Sequence, residues 1–406
     1  MERSRVSDPA QRVRSGALSG IRVADFSRVL AGPLCTMILG DLGADVVKVE
    51  RPVAGDDTRS WGPPFTDGGE AAYFTSVNRN KRSVVLDLTD PDGADAARRL
   101  ALASDVIVEN FLPGTMERFG LGYETLAAEL PSLVFCSIGA FPPADDGGQL
   151  ARPGYDLLIQ AMSGLMSLTG ADGGEPMKVG VALVDVIAGL DAAIGILAAL
   201  RARETTGRGQ RVDVTLFGAS VAALVNQASN YLVGGLVPQP MGNAHPNIVP
   251  YQVFHASDRP FVLAVGNDDL FRRACAAIGR DDLSADPRFA TNADRVRNRD
   301  ALIPDLERHF ATRAADEWLA ALDRAGVPAG PVSNLKDVFE SPEGRTMVNI
   351  LYDSTGSEPG VPTVIDPIAL SETPATYRMP PPHLGEHSNE ILSELADPTG
   401  ETDPRD

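Results

Sequence analysis

Residues 21–26 (Ile-Arg-Val-Ala-Asp-Phe) and 44–50 (Ala-Asp-Val-Val-Lys-Val-Glu) each read as a short buried strand. Between them, residues 34–42 carry a helical pattern that starts after Gly32-Pro33, with proline in the first turn. Strand, helix, strand within about thirty residues is a βαβ unit, and such a unit joins parallel strands. The pattern recurs, with strands predicted at 83–88, 106–109 and 133–137 and a helix at 91–103. This alternation restricts the chain to an α/β class with a doubly wound, mostly parallel sheet.

Beyond the first sheet, residues 140–152 are rich in Gly, Pro and Asp and read as an exposed loop. Residues 155–168 are apolar at helical spacing, and 185–203 read as a long helix ending in Gly207-Arg-Gly209. A strand at 210–216 and a helix at 219–232 follow. Composition then shifts. Four prolines fall within 235–250, which predicts a linker or mobile loop. A strand at 261–265 and helices at 268–278, 299–311 and 315–325 predict a smaller α/β domain of about ninety residues. After Val332 the chain is expected to be strand-poor and loop-rich, with a last helix at 386–395. The expected layout is a flexible N-terminus at 1–18, a large Rossmann-like domain from 19 to 232, a linker at 233–250, a small domain at 251–335 and a final segment at 336–406.

Charge narrows the partners. A formal net charge of −19 argues against nucleic acid or an anionic membrane, because counterion release needs a basic face. Cys35, Cys136 and Cys275 show no CxxC or metal-ligand spacing and read as reduced thiols of a cytoplasmic protein. No apolar run of about 18 residues is free of charge, so no membrane span is expected. The basic N-terminus lacks the apolar stretch of a secretory signal.

Several common enzyme signatures are missing. The turn after the first strand, Ser27-Arg-Val-Leu-Ala-Gly-Pro33, has one glycine where a dinucleotide-binding turn needs three. Arg51, directly after Glu50, suits a phosphate better than a ribose diol. There is no GxSxG elbow, no GxxxxGK[ST] loop and no HExxH helix. His245, His255, His309, His383 and His387 are scattered without metal spacing, so no metal is expected. A basic set stands out: Arg51, Asn80-Lys81-Arg82 and Arg118 flank predicted strand ends or helix starts. Singly each reads as a solvated charge. Together they are candidates for a multiply phosphorylated ligand at the carboxyl ends of the strands. Asp185 stands alone in the apolar stretch 179–190. It reads as the N-cap of the long helix, as a carboxylate nucleophile, or as both, since a cap is also an oriented carboxylate.

Eight ordered segments resemble the class III CoA-transferases, the CaiB/BaiF family. They are Leu18-Ser-Gly-Ile-Arg-Val-Ala-Asp-Phe-Ser, Ala31-Gly-Pro33, Leu42-Gly-Ala-Asp-Val-Val-Lys-Val-Glu-Arg51-Pro, Asn78-Arg-Asn-Lys81-Arg-Ser and Val108-Glu-Asn-Phe-Leu-Pro-Gly, followed by Arg152-Pro-Gly-Tyr155-Asp, Thr206-Gly-Arg-Gly-Gln-Arg-Val212 and Leu384-Gly-Glu-His-Ser-Asn-Glu-Ile-Leu. The resemblance implies a Rossmann-like large domain made from both ends of the chain, a small α/β domain and an interlocked homodimer. It also implies transfer of CoA between an acyl-CoA and a carboxylic acid, through an aspartyl anhydride and an aspartyl-CoA thioester on Asp185. CoA is then a substrate, and no tightly bound cofactor is expected. By the same likeness Arg51, Lys81 and Arg118 would hold CoA, while Trp61 and Tyr155 would line the acyl pocket.

Two departures bear on the substrate. Relatives that move formyl and oxalyl groups carry glutamine where this chain has Leu30, and a glycine run after the Gly-Asn pair that here is Gly242-Asn243. A larger or less polar acyl group fits these changes better, with a dicarboxylic acyl such as succinyl among the candidates. Two other readings share the fold. An α-methylacyl-CoA racemase needs a second base, yet Gly154-Tyr155-Asp156 offers tyrosine, a poor base near neutral pH. A non-catalytic CoA-binding protein is the other.

Overall fold

The computed structural model describes residues 16–142, 152–353 and 360–396. The predicted flexible terminus, up to residue 15, and most of the predicted 140–152 loop lie outside the described residues. The described chain forms two compact units. One gathers the residues up to Leu165, Val179–Ser229 and those from Thr346 onward; the other gathers Met166–Lys178 and Asn230–Arg345. The second unit thus begins at Asn230, takes in the stretch read as a linker at 233–250, and adds residues 166–178.

The first unit is built on six parallel strands: β1 (Arg22–Asp25), β2 (Asp45–Glu50), β3 (Lys81–Val85), β4 (Val106–Glu109), β5 (Val134–Gly139) and β6 (Arg211–Thr215). Their order in the sheet is β3-β2-β1-β4-β5-β6. The chain winds one way from β1 to β3 and the other way from β4 to β6, so a topological switch point lies between β1 and β4. The inner strands β4 and β5 are largely apolar on both faces because both faces are covered. In β4, Val106 and Val108 enter the core on one face and Ile107 enters the core on the other. The first core is shared with the helices Ala31–Asp41, Leu183–Thr206 and Leu216–Ala223; the second is shared with Pro91–Leu102 and Ser388–Ala396.

Gly189 sets how closely two first-core helices approach, and Gly32 how closely one of them lies to the turn after β1. A Cβ on Gly189 would lie 2.6 Å from the carbonyl oxygen of Ala31, and one on Gly32 would lie 2.2 Å from the Ser27 Cβ. The Ala31–Asp41 helix starts three residues before the sequence reading, so Pro33 is its third residue. By length and composition the 24-residue Leu183–Thr206 helix could cross a bilayer, a property that core helices share, and half of its apolar window is buried here. Asp185 and Asp191 interrupt that window. The single helix read at 219–232 is two, Leu216–Ala223 and Val225–Gly234, broken where Val225 takes a positive φ of 34°.

The C-terminal segment closes the β3 edge. The Gly385 N–H donates to the Ser83 hydroxyl (2.9 Å), the His387 N–H to the Ser83 carbonyl (3.0 Å) and the Val85 N–H to the Ser388 hydroxyl (3.1 Å). The strand-poor expectation after Val332 is corrected by an antiparallel hairpin of β10 (Val348–Leu351) and β11 (Val361–Val364).

The second unit holds an antiparallel sheet of β7 (Tyr251–His255), β8 (Pro260–Ala264) and β9 (Ala329–Pro331). The helices Asp268–Ile278, Arg299–Phe310 and Ala315–Arg324 share its core, where Phe254, Phe261, Phe310 and Trp318 pack ring against ring. Gly242 and Asn243 belong to this unit, and the Gly242 N–H donates to the Gly170 carbonyl at 2.9 Å.

Candidate active site

In the first unit, a crevice of about 590 Å³ opens over the carboxyl ends of β1, β4, β5 and β6. This is where open α/β sheets bind ligands. Leu30, Tyr155 and Asp185 all line it, together with Arg28 and the Glu109–Pro113 turn. Sequence distances of more than 150 residues are thus brought to one cleft by the sheet order.

Asp185 is not the cap of its helix. Ala182 holds the N-cap position, and Asp185 is the third helical residue, in the first turn. The cap is supplied from elsewhere: the Val184 N–H donates to Asp156 Oδ1 at 2.8 Å. Asp156 is itself the first residue of the Asp156–Met162 helix, and the Gln160 amide donates to its other oxygen at 2.6 Å. Asp185 is 9% exposed, and among the described residues no hydrogen bond or ion pair reaches its carboxylate. Burial, and then the neighbouring Asp156 charge, raise its pKa to about 7. The positive end of the helix dipole works against this rise, and the net elevation means that desolvation wins. The result is a carboxylate held in a cleft, poorly solvated and without a partner, as a nucleophile requires.

The other expected residues divide. Leu30 precedes the Ala31–Asp41 helix and faces the crevice; Tyr155 is 66% exposed at its rim. Arg51 is exposed, lines a smaller adjoining hollow of about 190 Å³ and pairs with Asp57. Arg118 is exposed on the Thr115–Arg118 helix, where it donates to the Thr115 hydroxyl at 3.2 Å and lines neither hollow. Trp61 is outside the crevice lining but stands edge-on to Tyr73, ring centroids 5.2 Å apart. Burial and then the charge of Asp185 raise the pKa of the Tyr73 hydroxyl.

Lys81 requires correction. It is fully buried, and its ammonium donates to Asp25 (3.1 Å), the Pro33 carbonyl (2.9 Å) and Asn78 (3.0 Å). Three donors with three acceptors leave nothing for a phosphate. Burial, against the pull of Asp25, lowers its pKa to about 8. Arg82, also in that basic cluster, is tied to Asp45 and Glu394. A second buried lysine, Lys48, pairs with Asp56 at 2.9 Å and donates to the Ser27 carbonyl at 3.0 Å. Burial pushes Asp56 up, but Lys48 and the Thr58 hydrogen bonds outweigh it and hold the carboxyl at about 2. The Asp56 carboxylate also accepts from Val29, whose φ of +71° is costly for a β-branched residue. These buried ions shape the turn that carries Leu30.

Sequence reasoning missed Arg28, Tyr73, Asp156 and Gln160. Arg28 lines both hollows and lies over the Phe111 ring at 5.1 Å. Its position directly after β1, beside the switch point, is the signal that would have found it. No histidine is among the described residues lining the crevice.

Comparison with known proteins identifies the family. Residues 18–388 match the model of CoA-transferase family III, and the chain belongs to that family of enzymes. It is 42% identical to succinate–glutarate CoA-transferase of Agrobacterium fabrum, over 94% of this chain and 96% of that one. It is also 42% identical to succinyl-CoA:glutarate CoA-transferase of Mus musculus, over 93% and 86% of the two chains. A crystal structure of a CAIB/BAIF family protein from Brucella suis superposes with a TM-score of 0.81 at 43% identity, covering 94% of this chain and 100% of that one. The expected family and CoA-transferase activity both stand.

Proposed function

We propose that this enzyme moves CoA between two dicarboxylic acids of the succinate and glutarate kind, with Asp185 as nucleophile. The observation that carries the proposal is the unpartnered, poorly solvated carboxylate of Asp185 in the crevice at the sheet's switch point. The names of the relatives at 42% identity support the dicarboxylic substrates.

The ionised Asp185 attacks the thioester carbonyl, the C–S bond breaks, and CoA thiolate leaves behind a mixed anhydride. The thiolate then attacks the aspartyl carbonyl, giving an aspartyl-CoA thioester and releasing the donor acid. The acceptor carboxylate attacks that thioester and again expels the thiolate. The thiolate finally takes the acceptor acyl group and returns Asp185 to its carboxylate. Dividing the exchange in this way lets each step expel a good leaving group. The first-turn N–H of Ala31, which lacks an intrahelical partner, serves as a donor to the tetrahedral oxyanions. Arg28 and Arg51, at the two adjoining hollows, hold the nucleotide end of CoA; Trp61 and Tyr155 flank the acyl group. A homodimer is supported by the large apolar side chains left exposed on the first unit, among them Ile194, Leu190 and Leu158. Three unpaired, buried thiols fit a cytoplasmic setting.

The test is a panel of acyl-CoA donors and carboxylate acceptors read by mass spectrometry. Succinyl-CoA with glutarate is expected to give glutaryl-CoA. Asp185→Asn is expected to bind CoA and lose exchange by about a thousandfold or more. Undiminished exchange in that variant would remove Asp185 from the reaction.

A further inference from the structure

Two carboxylates meet beside the crevice, and their hydrogen bonding divides them sharply. Asp156 has both oxygens engaged: Oδ1 accepts the Val184 N–H at 2.8 Å and Oδ2 accepts the Gln160 amide at 2.6 Å. The carbonyl oxygen of the same Gln160 side chain accepts the Val179 N–H at 2.9 Å. Gln160 is fully buried and Asp156 nearly so. One turn of the Asp156–Met162 helix therefore grips the chain at residue 179 and again at residue 184, immediately before Asp185.

We infer that Asp156 and Gln160 are positioning residues for the nucleophile, holding both ends of the segment 179–184 so that Asp185 enters the crevice in a fixed orientation. The inference rests on Asp185 being the nucleophile and adds the means by which it is held. It also separates the two carboxylates: each oxygen of Asp156 accepts a hydrogen bond within the clamp, and Asp185 accepts none among the described residues. Orientation of this kind acts on the reacting geometry rather than on substrate affinity. The like charge of Asp156 also keeps Asp185 hard to ionise. The other titratable group coupled to Asp185 is Tyr73, on the Ala72–Thr75 helix, while Arg28, Asp57, Glu109, Arg152, Arg211 and Asp213 complete the charged lining of the crevice.

Asp156→Asn separates the two contributions. Asparagine keeps an acceptor for Val184 but turns an N–H₂ toward the Gln160 amide, and it removes the charge. The measurement is the single-turnover rate of hydroxylamine-trapped Asp185 adduct from succinyl-CoA, from about pH 5 to about pH 9, with KM from the steady state. The expected result is a rate about tenfold lower or more, a KM for succinyl-CoA within about twofold of wild type, and an acidic-limb midpoint about half a pH unit lower or more. A rate within about twofold of wild type and an unmoved midpoint would overturn the inference. Gln160→Met provides a second arm should the first variant not fold: it keeps the charge, and its rate must also fall about tenfold with KM unchanged, or the clamp is wrong. Wild-type protein that forms no Asp185 adduct in the same assay would instead overturn the nucleophile assignment, and the clamp with it.

Discussion

Asp185 is costly to keep ionised, and the cost can be measured apart from activity. Its folded pKa of about 7 lies above the ordinary 3.8, so the folded state resists ionisation more than the unfolded chain does. Below the unfolded value both states are protonated and there is no penalty. The penalty grows as pH rises past 3.8 and is complete above about 7. Asp185→Asn is therefore expected to stabilise the protein at about pH 8 by on the order of 2–4 kcal/mol. Near the acid end the gain should vanish. Urea unfolding at both pH values checks this, and equal gains at both would deny the shift. With Asp185 as the proposed nucleophile, the rate of exchange is expected to rise with pH through about 7 as its carboxyl ionises. The sequence displayed this residue because no charge surrounds it from 179 to 190. It misplaced Asp185 as a cap because the true cap, Asp156, arrives from a different helix. Lys81 was misread for a similar reason: its counter-charge, Asp25, lies 56 residues away, so a buried cation looked like a surface one.

Among elements, the contact that matters most to the site is that of the Ala31–Asp41 and Leu183–Thr206 helices. One presents Leu30 and Ala31 to the crevice, and the other presents Asp185. Gly189→Ala drives a methyl to 2.6 Å from the Ala31 carbonyl, so the helices must part. The expected cost is about 1–3 kcal/mol in stability. A loss of exchange larger than that of thermal stability would follow, because both helices carry site residues. Thermal melts and exchange assays on one preparation read both, and wild-type values in each would refute the packing argument. β4 and β5 were legible in sequence because burial on both faces makes them nearly continuous apolar runs. β7, β10 and β11 were not: they are short, largely exposed strands whose pattern carries little apolar signal.

At the scale of the whole molecule, the first unit leaves unusual apolar surface uncovered, with Ile194 65% exposed on the same helix as Asp185. We propose that a homodimer covers such surface. Light scattering is expected to give about twice the chain mass of 42.9 kDa, and Ile194→Asp is expected to weaken association by about tenfold or more. A monomeric wild type at micromolar concentration would contradict the dimer. The doubly wound order could be anticipated from the repeating strand–helix rhythm. The assignment of residues 166–178 to the second unit could not, because nothing local in those residues records which core they join.

The central claim is that Asp185 becomes covalently acylated during turnover. The most direct measurement is peptide mass spectrometry after incubation with succinyl-CoA, glutarate and hydroxylamine. The account predicts a hydroxamate on Asp185 and on no other acidic residue. An unmodified Asp185 peptide, recovered while glutaryl-CoA is being formed in the parallel sample without hydroxylamine, would contradict it.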